Sequence, residues 1–225
     1  MIKAIIFDFD GVLVESVDIK TEAFRELFKS YPAHLQEFIR YHLLNGGVSR
    51  FEKIRYFYKK FLNTKISEDE LKKLCEQYSQ LVVEKVLRAP YVPGAEALLK
   101  ACWRSYTMFV VSGTPQEEMC AIVQERGLAD FFKEVYGSPS TKSRLVKKIL
   151  KTHVLHPEET IFIGDSLTDL SAAKESRIRF IARTSSEKMD WLNDETVIAT
   201  FPDLHTALPF IQSLNEEYEK TRTPL

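Results

Sequence analysis

Ile2-Lys3-Ala4-Ile5-Ile6-Phe7-Asp8-Phe9-Asp10-Gly11-Val12 is a short apolar run, broken only by Lys3, that ends in two carboxylates two residues apart. Such a run is the pattern of a strand buried on both faces of a parallel sheet. In open α/β sheets ligands bind outside the carboxyl ends of the strands, and that is where Asp8 and Asp10 stand. A second stretch repeats the arrangement: Thr160-Ile161-Phe162-Ile163 runs into Gly164-Asp165-Ser166-Leu167-Thr168-Asp169. Two acidic pairs, each closing an apolar strand, do nothing for stability by themselves. They point to a metal and phosphoryl-transfer centre.

Further strands are predicted at Thr107 to Val111, Phe132 to Tyr136, Ile178 to Ala182 and Thr196 to Ala199. Helices are predicted between them at Gly94 to Trp103, Gln116 to Arg126, Ser143 to Lys151 and Leu167 to Ser176. Alternation of this kind specifies an α/β fold, a Rossmann-like parallel sheet with helices on both faces. The stretch from Ser16 to Ala89 breaks it. No strand is evident there, but Glu22 to Phe28, Arg50 to Leu62 and a segment capped by Ser67 carry helical spacing. The expectation is an inserted all-helical cap over residues 16–89, with a catalytic core from residues 1–15 and 90–225. Pro90 and Pro93-Gly94 mark the return to the core. The aromatic run from Phe51 to Phe61 reads as the interior of that helical bundle, or else as an association surface. The polar tail from Glu216 to Leu225 is expected to fray.

The chain has 225 residues, is 44% hydrophobic and 28% charged, and has a formal net charge of −1. That balance supports a sizeable core and gives no reason to expect nucleic acid or an anionic membrane as a partner. Cys75, Cys102 and Cys120 match no short metal-binding spacing and are odd in number. Reduced, mostly structural thiols and a cytoplasmic location are the expectation. A core strand begins within the first residues, so no signal peptide is expected, and no apolar stretch reaches membrane-spanning length. A monomer is the default reading of oligomeric state.

Each candidate residue has an ordinary reading beside the chemical one. Asp8, at the strand end, suits attack on phosphorus, and Asp10 suits proton transfer. Both are also common types for a strand-end turn. Asp165 and Asp169 offer the hard oxygen ligands that Mg²⁺ prefers, while Asp169 equally suits the first turn of a helix. Ser112-Gly113-Thr114 can hold phosphate or simply cap a helix begun by Pro115. Lys142 is either a point charge beside the phosphoryl group or a surface lysine.

Taken together and in this order, the four loops resemble the motifs of the haloacid dehalogenase-like hydrolase superfamily, in its helical-cap phosphatase and beta-phosphoglucomutase-like branch. The resemblance covers nearly the whole chain. It implies Asp8 as nucleophile and metal ligand, and Asp10 as general acid/base that also gives the metal its backbone carbonyl. Ser112 with Gly113 and Thr114 would hold the phosphate, Lys142 would serve phosphate binding and catalysis, and Asp165 and Asp169 would complete the Mg²⁺ site. A carboxylate at position 10 separates phosphatases and phosphomutases from dehalogenases. Gly46-Gly47-Val48-Ser49-Arg50 resembles a cap turn of sugar-phosphate enzymes, which implies that Arg50 holds the far end of the substrate; Lys53 and His42 are weaker candidates for that role. The chain departs from the mutase pattern at Lys20, where a histidine is usual. It also departs at Ser176-Arg177, where Ala-Gly is usual.

The resulting expectation is a Mg²⁺-dependent phosphatase, a phosphoric monoester hydrolase acting on a small phosphorylated metabolite such as a sugar phosphate or phosphoglycolate. The alternatives are a beta-phosphoglucomutase-like phosphomutase and a non-catalytic protein that binds a phosphometabolite.

Overall fold

The computed structural model describes residues 1–184 and 189–222. Six parallel strands form one sheet in the order β3-β2-β1-β4-β5-β6. They are β1 (Ala4–Phe7), β2 (Thr107–Pro115), β3 (Glu134–Ser138), β4 (Thr160–Gly164), β5 (Arg179–Arg183) and β6 (Val197–Phe201). The chain builds outward from β1 to β3 and then crosses to β4 on the other side. The order therefore reverses at β1, and a crevice opens there at the strand ends. Register brings Phe7 beside Val110 of β2 and Ile163 of β4, so the residues that follow each strand meet.

Alternation along the strands explains the two-sided core. Ile5, Phe7, Ile161 and Ile163 face one cluster, while Ala4, Ile6, Phe109 and Phe162 face the other. Helices α5 (Ala95–Cys102), α6 (Gln116–Glu125) and α9 (Ala207–Arg222) contribute to the first cluster. Helices α7 (Lys142–Thr152) and α8 (Leu167–Ser176) cover the second. Helix α9 continues over the polar segment to Arg222, where fraying was expected; the last three residues lie outside those described.

Between β1 and β2 the chain is all helical: α1 (Val17–Leu27), α2 (Pro32–Leu44), α3 (Arg50–Phe61) and α4 (Glu68–Arg88). This is the inserted cap. Its interior is aromatic: Phe57 stacks on Phe28 at 3.8 Å and meets Phe38 edge-on at 5.1 Å. The Phe51-to-Phe61 run is thus mainly core. Helix α2 was not foreseen. Phe38 and Ile39 are buried, but Leu43 and Leu44 are exposed, so its apolar residues form no clean stripe. Ser67 accepts the Glu70 N–H at 3.2 Å and starts α4 as expected.

The end of β2 also differs. Strand β2 runs on through Ser112, Gly113 and Thr114 to Pro115, with an irregular register against β3, and α6 begins at Gln116, where its pattern places it. Arg177, which ends α8, takes φ +56° and ψ +30°. That left-handed cap is the conformation glycine adopts without a Cβ penalty. It accounts for the glycine usual at this position.

Candidate active site

Asp8 leaves β1 with its backbone N–H bonded to the Ile163 carbonyl at 2.9 Å, which ties the two central strand ends together. Its carboxylate is buried, with Oδ2 2.8 Å from Lys142 Nζ. The same ammonium lies 2.6 Å from Asp169 Oδ1, and Asp169 is wholly inaccessible. One carboxylate oxygen each from Asp8, Asp165 and Asp169 lie within 4.8 Å of one another. Lys142 is placed by α7, whose first residue it is, and Thr141 caps that helix.

Three carboxylates and one ammonium in this largely buried cluster are out of balance. Burial, then the Asp169 and Asp10 charges, outweighs the Lys142 ion pair and pushes the Asp8 carboxyl up to about 7. Burial and the neighbouring Asp8 and Asp169 raise Asp165 well above the usual carboxylate range. Burial disfavours the Lys142 charge, yet Asp169 and Asp8 together hold its ammonium firmly protonated. Asp169 is saturated: Oδ1 takes Lys142, and Oδ2 accepts from the Ser166 hydroxyl at 2.5 Å and the Ser166 N–H at 3.1 Å. Asp165 lines the open crevice and, among the described residues, receives no side-chain hydrogen bond. A cluster of hard oxygen donors with surplus negative charge fits Mg²⁺.

The Asp10 side chain turns away from this cluster. It accepts from Ser16 at 2.6 Å, from Ser112 at 3.2 Å and from Thr114 at 3.3 Å, and pairs with Lys20 at 2.5 Å. Burial pushes its carboxyl up, but Lys20 and Ser16 outweigh that and hold it below the usual range. Lys20 Nζ also donates to Thr114 at 2.8 Å. The Ser112 hydroxyl accepts the Thr114 N–H at 3.1 Å, so this loop is organised as a support for Asp10 at the end of β2.

The cap closes directly over these groups. Thr168 Oγ1 donates to the Gly46 carbonyl at 2.9 Å. Gly47 has φ +75°, and a Cβ there would strike Thr168 and Lys142. Gly11, with φ +76°, likewise lies against Asp165 where a side chain would collide. Arg50 is only 4% exposed at its side chain, and its guanidinium pairs with Glu118 of α6 and bonds Ser79 of α4 at 2.5 Å. It lines the crevice with its guanidinium held between Ser79 of the cap and Glu118 of the core. A cavity of about 920 Å³ runs from Asp8 and Asp165 to the cap residues Phe24, His42 and Lys53.

A family model described as haloacid dehalogenase-like hydrolase matches residues 5–183. The chain belongs to this family. Similar curated proteins include a phosphoglycolate phosphatase of Vibrio vulnificus (strain YJ016), 25% identical over 191 residues, with 78% of this chain and 80% of the relative covered. Another phosphoglycolate phosphatase, from Psychrobacter arcticus, is 28% identical over 193 residues, with 77% and 80% covered. Among solved structures, beta-phosphoglucomutase from Clostridium difficile superposes with a TM-score of 0.74 at 20% identity, over 97% of this chain and 99% of that one. A predicted phosphoglycolate phosphatase from Haemophilus somnus 129pt gives 0.72 at 19% identity, over 93% and 98%. At those identities the structural likeness speaks for the fold.

Within this haloacid dehalogenase-like hydrolase, Asp8, Lys142, Asp165 and Asp169 converge as the motif order suggested. Asp10, Ser112 and Thr114 form an adjoining group. Sequence reasoning missed the Lys20 contact with Asp10 and the Glu118 contact with Arg50. For Lys20 the signal was its position one turn into the helix after the first acidic pair; Glu118 had no local signal. Cys75 and Cys102 are buried free thiols, and Cys120 is exposed. Among the described residues no helix is long and apolar enough to cross a membrane.

Proposed function

We propose that the protein is a Mg²⁺-dependent phosphatase that hydrolyses the phosphate monoester of a small metabolite through an aspartyl-phosphate on Asp8. The buried cluster of Asp8, Asp165 and Asp169 around Lys142 carries this reading. The phosphoglycolate phosphatases among its relatives support it.

In the first step an Asp8 oxygen bonds to phosphorus, the bond to the leaving oxygen breaks, and Asp10 protonates that oxygen. In the second, water attacks phosphorus, Asp10 takes its proton, and the Asp8–phosphorus link breaks to release phosphate. Lys20 keeps Asp10 as a carboxylate at rest, the form the second step needs. An arriving phosphate dianion raises the proton affinity of Asp10 and so favours the acid form for the first. Asp8, Asp165 and the Asp10 backbone carbonyl would hold Mg²⁺, which when bound offsets negative charge between the carboxylates and the phosphate. Asp169 completes the acidic set and fixes Lys142 and Ser166. Ser112, Gly113, Thr114 and Lys142 would steady the phosphoryl oxygens.

The cap, residues 16–89, would act as a lid that excludes water and large substrates from the core formed by residues 1–15 and 90–225. A mutase must hold a second phosphoryl group at the cap end. The engagement of Arg50 by Glu118 therefore favours hydrolysis. The test is phosphate release across sugar phosphates, phosphoglycolate, nucleotides and amino-acid phosphates, with Mg²⁺ or EDTA, beside Asp8→Asn. Metal-dependent turnover lost in the variant is expected; isomerisation without release would establish the mutase instead.

A further inference from the structure

Among the described residues, four basic side chains line the cavity between the aspartate cluster and the cap: Lys20, Arg50, Lys53 and Arg183. Three have carboxylate partners. Lys20 pairs with Asp10, Arg50 with Glu118, and Arg183 with Glu15. Among the described residues no carboxylate pairs with Lys53, although it is only 3% exposed.

The surroundings of Lys53 hold it in place without neutralising it. Its Nζ lies 2.8 Å from His42 Nδ1 and 3.3 Å from the His42 carbonyl. Thr21 gives its hydroxyl proton to the Val17 carbonyl at 2.8 Å, so at its 3.1 Å contact with His42 Nε2 it must accept. The imidazole therefore carries its proton on Nε2 and offers a bare Nδ1 to the lysine. Two of the three donors of an ammonium are used and one remains. The Phe24 ring centroid lies 6.0 Å from Nζ. Burial, then the nearby Lys20 and Lys142 charges, outweighs the pull of the Asp10 and Asp165 charges and lowers the Lys53 amine to about 7. Burial and Lys53 bring His42 down to about 2, so the imidazole stays neutral. A lone ammonium buried in this way is unfavourable until an anion reaches it.

We propose that Lys53 is the receptor for a carboxylate on the leaving-alcohol side of the substrate, which makes the preferred substrate the phosphate monoester of a short hydroxy acid. One ammonium with one free donor balances one carboxylate. A second phosphoryl dianion would need a further cation, and Arg50 is engaged elsewhere. The substrate class rests on the phosphatase reading, whereas the anion site itself does not.

The experiment is calorimetric titration of the full-length protein in Mg²⁺ with 3-phosphonopropionate, its carboxamide, and ethane-1,2-diphosphonate. The wild type should prefer the carboxylate over the amide by at least about tenfold, the worth of a charge-assisted hydrogen bond. In Lys53→Met the ratio should fall to near one, with the melting temperature unchanged or higher. Lys53→Arg should keep part of the preference, and Lys53→Gln should lose it if the methionine variant folds poorly. Equal binding of acid and amide by the wild type, or a ratio unchanged in the neutral variants, would overturn the proposal. So would tightest binding of the diphosphonate. Carboxylate preference without phosphate release from a phosphorylated hydroxy acid would overturn the phosphatase reading and leave the Lys53 site standing.

Discussion

Asp8 sits in a site whose charge is wrong for a metal-free protein at neutral pH, and the consequence is measurable. Its folded-state value is about 7, raised by burial from an ordinary 3.8. An acid raised on folding contributes stability that is full below the unfolded value and lost as pH rises through the folded one. The metal-free protein should therefore lose stability between about pH 4 and pH 7, by an amount on the order of a few kcal/mol. Mg²⁺ binds the ionised cluster, so its stabilising effect should grow over the same interval. Melting curves at pH 5 and pH 8, each with and without Mg²⁺, are the check. A larger Mg²⁺ shift at pH 8 is expected, and an equal shift at both would mean that the ion does not bind this cluster. At this scale the sequence was informative wherever strand-end spacing dictated position. Asp8 and Asp165 follow runs that could only be central strands, so their meeting was legible. Lys142 was legible only through the order of the loops, because nothing local distinguishes it from a surface lysine.

Elements were legible in proportion to the purity of their pattern. Helix α8 occupies the residues assigned to it, and β1 lies within the apolar run that ends at Asp8. Helix α3 differs from its prediction by one residue. Helix α2 escaped because two of its leucines face outward while its phenylalanine packs inward. The end of β2 escaped because Ser112-Gly113-Thr114 carries turn chemistry, yet pairing with β3 resumes at Pro115. Phe57 shows what holds the cap together. It is wholly buried, stacked on Phe28 and ringed by Phe38, Phe61 and Tyr31 at 5.1 to 5.4 Å. Phe57→Ala should cost about 3–5 kcal/mol, the usual result of emptying a buried aromatic site. Urea denaturation measures this directly. A loss below about 1 kcal/mol would mean that the cap's rings do not form a packed interior.

At the scale of the whole molecule, the cap and the core meet through contacts that no local pattern marks. Arg50 begins α3, Ser79 lies in α4 and Glu118 in α6, and the three side chains close one part-buried network. The partners are 68 residues apart, and each reads alone as an ordinary charged residue on a helix. The resemblance assigned Arg50 to the substrate, but only the fold reveals that Glu118 reaches it. The pair is a fastening between lid and core, and its failure should differ from that of Lys53. Glu118→Gln leaves a guanidinium buried without its counter-charge, which should destabilise the closed arrangement by about 3–5 kcal/mol. Closure gathers the catalytic groups whatever the substrate's tail, so KM should rise for carboxylated and uncharged phosphate esters by the same factor. Lys53→Met, in contrast, should change the ratio between them. Steady-state kinetics on one substrate of each kind separates the two roles. A Glu118→Gln enzyme with altered selectivity would mean that Arg50, once released, binds the substrate after all.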